Sequence, residues 1–314
     1  MKLDESVLSN TEKIIFALRG LYQRYGYERY RMRRFEEYEL YSRNKDFLVS
    51  DQVIVFTDTN GKLMALKPDV TLSIIKNSRD DPASVRKLCY NESVYRVSGS
   101  GGTFREIMQT GIECFGSVGE NELAEVLCLA EESLSLLGKN VVLVLSDLDI
   151  LQCFLNEISV LPEEKQRLLR CVGEKNLHEI TAICEKRNVP KEKTERLKKL
   201  LSLYGATDRV LPELENLCSG TAAEKNLKQM KTLIDRLQER EGVSRTEIDF
   251  SLVSDGNYYN GIIFKGYLEG VPERVLSGGR YDRLMEKMGK KAKAIGFAVY
   301  LDALERVSIP ENER

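Results

Sequence analysis

Histidine is nearly absent from this chain of 314 residues; His178 is the only one. A metal site built on two histidines is therefore excluded, and a Ser-His-Asp triad is disfavoured. His178 lies in a stretch dense in Lys and Glu, where a surface or helix-packing role suits it. No CxxC pair occurs either. The seven cysteines, Cys89, Cys114, Cys128, Cys153, Cys171, Cys184 and Cys218, are odd in number and scattered. That pattern argues for a reducing compartment and against a disulfide framework or a zinc site. No apolar run nears the roughly 20 residues that cross a bilayer. The opening MKLDESVLSN carries acidic residues and no apolar h-region, so no signal peptide and a cytoplasmic location are expected. Positive charge is not in excess: Lys+Arg 47 against Asp+Glu 49 leaves a net charge of -2. This counts against a broad nucleic-acid binder, though not against a local basic patch. GxxxxGK[ST] is missing, so there is no P-loop. Internal repeats and low-complexity segments are also missing.

What remains is a composition of 42% hydrophobic and 31% charged residues, which supports a packed core under a solvated surface. The length suggests about two domains. Residues 7 to 24 predict a helix through Ile14, Ile15, Leu18 and Leu21, capped by Asn10 or Thr11. QVIVFTDT and KLMAL flank Asn60-Gly61, so residues 52 to 66 predict a β-hairpin. A short helix, VTLSIIKNS, follows Lys67-Pro68-Asp69. Residues 87 to 97 and 104 to 116 predict two strands joined by the flexible turn SGSGG, then come a helix over Glu120 to Leu137 and a buried strand at 141 to 147. From 149 to 245 strand signals fade and Leu and Ile alternate with Lys and Glu. This stretch predicts a helical insertion module with turns near Gly173, Pro190 and Gly205. Strand character returns at 248 to 254, 258 to 267 and 273 to 277, and amphipathic helices are expected at 281 to 288 and 296 to 306. The fold class is α+β, an antiparallel-rich core of residues 1–148 and 246–314 interrupted by the insertion at 149–245.

Four segments carry a resemblance: LKPDVT (66 to 71), YR followed by FREIMQTGIECFG (95 to 116), NYYNGIIFKGY with SGGRYDRL (257 to 284), and AIGFAVYLDAL (294 to 304). In this order and spacing the chain resembles histidyl-tRNA synthetases and their paralogues. The resemblance implies a class II aminoacyl-tRNA synthetase-like antiparallel sheet flanked by helices, with the insertion between motifs 2 and 3.

For the amino-acid pocket, the resemblance implies a histidine-binding set of Asp69, Thr71, Arg96, Gln109, Glu113, Tyr258, Tyr259 and Tyr281. Asp69 stands where the family usually has Glu. Gln109 and Glu113, four apart on a strand, point to one face. Asp69 and Glu113 would take the ammonium or imidazole N–H groups, Arg96 would face the carboxylate, and the tyrosines would line the imidazole side with a hydroxyl handle. Each residue alone reads more readily as a satisfied strand or sheet residue; the joint match to one pocket favours the pocket.

The ATP half departs from the family pattern. Ser254 occupies the arginine position of the Arg-Gly-Leu-Asp-Tyr-Tyr segment. Ser98 stands where the motif 2 loop has its glutamate, and that loop's second arginine is gone as well. In motif 3, Tyr300 replaces a small glycine and Ala303 replaces the phosphate-binding arginine. The motif 1 proline also looks replaced, near Arg33 or Arg34. Removing one electrostatic stabiliser typically costs about 10² to 10³ in rate, so these losses together should abolish adenylation. The chain runs about ten residues past motif 3, so the anticodon-binding domain is expected to be missing.

A retained amino-acid pocket beside a dismantled ATP site resembles the regulatory subunits of ATP phosphoribosyltransferase. The resemblance implies a non-catalytic role in the first step of histidine biosynthesis and no cofactor or metal. It implies a homodimer within a hetero-oligomer with the short-form catalytic subunit, free histidine as effector, and no tRNA or membrane partner. Two alternatives remain at this point: a synthetase-like enzyme that activates an amino acid, and a purely structural partner subunit.

Overall fold

The computed structural model describes residues 7–48, 52–98, 102–158, 162–240, 245–253 and 259–305. Helix α1 spans Asn10–Arg24 and buries Ile15, Leu18, Leu21 and Tyr22. Its cap is Ser9, not Asn10 or Thr11. The Ser9 hydroxyl accepts from the Glu12 amide at 3.2 Å, and the Glu12 carboxylate accepts from the Ser9 amide at 2.8 Å. The Ser-x-x-Glu spacing makes a reciprocal capping box that neither neighbouring residue could complete.

Strands β1 (Glu28–Arg29) and β2 (Phe35–Glu37), helix α2 (Tyr38–Ser42) and a 3₁₀ turn at Lys45–Phe47 follow. The expected hairpin is present as β3 (Val55–Thr57) and β4 (Leu63–Leu66), with Gly61 at φ +81 in the turn. Together they form a small sheet of order β2-β4-β3. Helix α3 (Val70–Asn77) starts at the Asp69 cap, whose carboxylate accepts from the Leu72 amide at 2.8 Å.

The long pair β5 (Val85–Ser98) and β6 (Thr103–Gly116) runs antiparallel along its whole length. Helix α4 (Glu120–Leu137) and strand β7 (Val141–Asp147) keep their expected bounds. Residues 148–238 then give α5 (Leu148–Glu157), α6 (Pro162–Gly173), α7 (Leu177–Lys186) and α8 (Lys191–Ser202). The short strand β8 (Tyr204–Ala206), α9 (Thr207–Cys218) and α10 (Glu224–Gln238) complete this stretch. Strand β8 went unforeseen; it is three residues long, centres on Gly205 at φ +113, and pairs with β9 (Arg245–Asp249) at the sheet edge. Strand β9 starts three residues and ends five residues earlier than expected; the Asp249 carboxylate accepts from the Ser251 amide at 2.8 Å and turns the chain.

The remaining elements are β10 (Ile262–Leu268), β11 (Leu276–Arg280), α11 (Asp282–Lys287), β12 (Lys293–Tyr300) and α12 (Leu301–Glu305). Here the sequence expectation of a helix over 296 to 306 is corrected: residues 293–300 are a strand and only the last five described residues are helical. β12 lies between β6 and β11 and is buried on both faces, so it shows a continuous apolar run that periodicity does not distinguish from a buried helix.

The main sheet has the order β1-β5-β6-β12-β11-β10-β7-β9-β8, parallel only at β1/β5 and β7/β9. One face meets α1 and α4. Phe297 packs edge-on against Tyr22 of α1 and Phe264 of β10, with ring centroids 5.9 Å and 6.2 Å away. The opposite face is covered only in part, by α3, α11 and the 3₁₀ turn, and the candidate site lies there.

Candidate functional site

Strand register sets a floor of small side chains on that face. One cross-strand row reads Tyr90, Gly111, Ala298, Ser277 and Lys265 on β5, β6, β12, β11 and β10. The next reads Glu113, Gly296 and Gly279. Residues of one row stand on the same sheet face, so five small residues lie side by side under a ring of large ones. Above them is a cavity of about 100 Å³. A single water needs only about 10–15 Å³ by the same measure, so the space suits a ligand of amino-acid size.

Three glycines each make room for one large side chain. A Cβ on Gly296 would stand 2.1 Å from Glu113 Oε2, one on Gly111 would stand 2.7 Å from the Tyr90 hydroxyl, and one on Gly279 would stand 2.9 Å from the Tyr259 ring. None of these glycines needs a positive φ; what they supply is the missing Cβ.

Glu113 is at the centre, 2% exposed. Its Oε1 accepts from the Thr71 hydroxyl at 2.6 Å, and its Oε2 accepts from the Tyr281 hydroxyl. Burial pushes its carboxyl up to about 8; the Thr71 and Tyr281 hydrogen bonds oppose that shift, and the Asp69 charge adds to it. Burial also raises Asp69, against the opposing pull of Arg96. Arg96 holds the α3 cap from the side: its Nη2 donates to Asp69 Oδ2 at 3.3 Å and its Nε to the Pro68 carbonyl. Gln109 is 2% exposed, and its amide Nε2 has no hydrogen-bond partner among the described residues. A buried donor left in this way costs about 1–3 kcal/mol, which an acceptor on a ligand would offset.

Of the eight residues named from sequence, Asp69, Thr71, Arg96, Gln109, Glu113, Tyr259 and Tyr281 line this one cavity, and Tyr258 lies outside the described residues. Of the four departures in the ATP half, Tyr300 lines the same cavity, with the Arg274 guanidinium 5.6 Å from its ring centroid. Ala303 is buried in the main apolar core. Ser98 ends β5 opposite Thr103. Ser254 lies outside the described residues. His178 is exposed on α7.

Sequence reasoning missed Phe47, Tyr90, Lys265, Arg274 and Ser277, which also line the cavity. Tyr90 could have been found by pairing β5 against β6 outward from the turn, since it falls opposite Gly111 between Gln109 and Glu113. The others follow only from tertiary register. Among the described residues no cluster of three or more His, Cys, Asp or Glu could hold a metal ion, and no helix is long and apolar enough to cross a membrane.

The histidyl-tRNA synthetase family model matches residues 2–304. The ATP phosphoribosyltransferase regulatory subunit of Clostridium novyi is 30% identical over 295 residues, which cover 91% of this chain and 69% of that protein. The subunit of the same name from Alkaliphilus metalliredigens is 27% identical over 276 residues, 86% of this chain and 70% of that protein. A crystal structure described as an ATP phosphoribosyltransferase regulatory subunit/histidyl-tRNA synthetase from Bacillus halodurans superposes with a TM-score of 0.82 at 25% identity, covering 97% of this chain and 80% of that chain.

Proposed function

The chain belongs to the histidyl-tRNA synthetase family and, within it, to the ATP phosphoribosyltransferase regulatory subunits, and from that membership we propose how its cavity serves histidine biosynthesis. The chain is the regulatory partner of a catalytic subunit. In the finer reading, it binds free histidine in the cavity over Gly111, Gly296 and Ala298 and passes the feedback signal to the short-form catalytic subunit of the first pathway step.

One observation carries this reading: Glu113, sealed between Thr71 and Tyr281, shares a cavity of amino-acid size with the Gln109 amide, which has no partner among the described residues. The carboxyl groups of Glu113 and Asp69 suit imidazole and ammonium N–H groups. Burial makes that choice selective, because an analogue lacking a donor leaves a buried acceptor unmatched.

The ATP half supports a non-catalytic role. Ala303 presents no cation to a triphosphate, and Tyr300, with the Arg274 guanidinium 5.6 Å from its ring centroid, lines the cavity. Losing one such stabiliser costs about 10² to 10³ in rate. A homodimer within the hetero-oligomer, a cytoplasmic setting and the absence of a tRNA partner belong to the same proposal. So does the division into a core of 1–148 and 246–314 and an insertion at 149–245.

A route for feedback is present in one short segment. Lys67 to Thr71 joins β4 of the small sheet to the cavity. Lys67, fully buried, pairs with Glu92 at 2.8 Å and its amide donates to the Arg34 carbonyl at 3.1 Å, while Asp69 and Thr71 face the ligand space. A shift of this segment on histidine binding would reach the surface of the small sheet. Useful feedback needs a coupling of about 1–3 kcal/mol.

The test is reconstitution. The purified chain and a short-form catalytic subunit, each inactive alone, should transfer the phosphoribosyl group to ATP when mixed, and histidine should inhibit the mixture. Pyrophosphate exchange by this chain alone with ATP and histidine would replace this reading with the enzyme one.

A further inference from the structure

We propose that Lys265 and Arg274 form the carboxylate subsite of this cavity, so that Arg96 shapes the pocket while these two residues select a free α-amino acid. The inference rests on the histidine-binding reading above and adds to it.

It begins with Arg96, the residue first assigned to the carboxylate. Arg96 donates to the Pro68 carbonyl through Nε and to Asp69 Oδ2 through Nη2 at 3.3 Å. It therefore braces the cap of α3 and balances the Asp69 charge at the acidic end of the cavity. Among the described residues the other cations lining the cavity are Lys265, on β10, and Arg274, beside the Tyr300 ring.

Register gives the distance. Glu113 is on β6 and Lys265 on β10, with β12 and β11 between them. At about 4.8 Å per strand, three steps separate the two backbones by about 14 Å. The floor between them carries only Gly296, Ala298, Gly279 and Ser277, and Lys265 lines the cavity from its β10 side. Arg274 approaches from the β10–β11 connection and is oriented by the Tyr300 ring, 5.6 Å from its guanidinium. The cavity thus carries carboxyl groups and hydroxyls around Glu113 on β6, an ammonium on β10 and a guanidinium on the β10–β11 connection beside Tyr300. An amino acid held by its imidazole at Glu113 would direct its carboxylate to these two cations. Charge-assisted hydrogen bonds of this kind are the strong ones. The Tyr300 side chain, in this account, is an orienting element of the anion subsite.

Calorimetric titration of the full chain with L-histidine and with histamine, which lacks the carboxylate, tests this. The wild type should prefer histidine by at least about tenfold. In Lys265→Met/Arg274→Met the preference should disappear, with histidine falling to the histamine affinity and histamine binding unchanged. Lys265→Arg should retain the preference. Thermal melting of each variant checks folding, and if the double variant melts early the single Lys265→Met carries the test through a partial loss. A folded variant that keeps the full preference overturns the subsite and leaves the histidine-binding reading intact, as does equal binding of both compounds by the wild type. A wild type that binds neither compound overturns both.

Discussion

Glutamine at position 113 should raise the stability of the empty protein above pH 8 and leave it nearly unchanged near pH 5. Glu113 is 2% exposed, and burial pushes its carboxyl from 4.5 up to about 8. Across that interval the folded protein keeps a proton that the unfolded chain has already lost. Stability therefore falls as pH rises from about 4.5 to about 8, and below 4.5 the residue contributes no pH dependence. Each pH unit is worth about 1.4 kcal/mol, so the whole window corresponds to roughly 3 to 5 kcal/mol. Glutamine keeps the shape, accepts from the Tyr281 hydroxyl through its oxygen, donates to Thr71 through its amide, and carries no charge at any pH. Urea unfolding at pH 5, 7 and 9 reads the effect. The wild type should lose stability across the series, and the variant should lose several kcal/mol less. An unchanged difference between the two proteins at pH 5 and pH 9 would refute the reasoning. The same variant should bind histidine at least about tenfold more weakly, because the buried counter-charge is gone.

Gly296→Ala should abolish histidine binding and cost about 1–3 kcal/mol in denaturant titration, because the new methyl would stand 2.1 Å from Glu113 Oε2 and 2.5 Å from the Ile112 carbonyl. Gln109→Leu should leave the melting temperature unchanged or higher, since it removes a buried donor that has no partner among the described residues, yet weaken histidine binding by at least about tenfold. Lys67→Met should cost about 3–5 kcal/mol by stranding Glu92, and adding Glu92→Leu should recover much of that loss in the same unfolding assay.

Local chemistry made much of the fold legible. Asn60-Gly61 marked the hairpin, the SGSGG turn between two strand-forming runs marked β5 and β6, and the amphipathic run of Glu120 to Leu137 marked α4. The reading failed where burial removes the pattern. Residues 293–300 are apolar on both faces of a central strand, so their run looked helical. Ser9 was passed over because the cap depends on the side chain of Glu12, three residues on. β8 is held by its partner β9, and three residues around Gly205 carry no strand signal of their own.

The site divides in the same way. Thr71, Gln109, Glu113 and Tyr281 were legible because their spacing matched a known arrangement, and they meet in the cavity. Arg96 was legible as a residue of the site but not in its posture, since its contact with Pro68 and Asp69 depends on how β5 passes α3. Lys265 and Arg274 were invisible because only the order β6-β12-β11-β10 brings them to the ligand space. The small floor was visible as SGGR and AIGFA, but its meaning required the register that lines Gly296 up with Glu113.

Calorimetric titration of the isolated chain with L-histidine, with ATP titrated in parallel, tests the central claim most directly. The account predicts saturable binding of one histidine per chain and none of ATP. It also predicts an enthalpy at pH 7 that changes with the ionisation heat of the buffer, because the entering cation displaces the Glu113 proton. Binding of ATP without histidine, or histidine binding that survives both Glu113→Gln and Gly296→Ala, would contradict it.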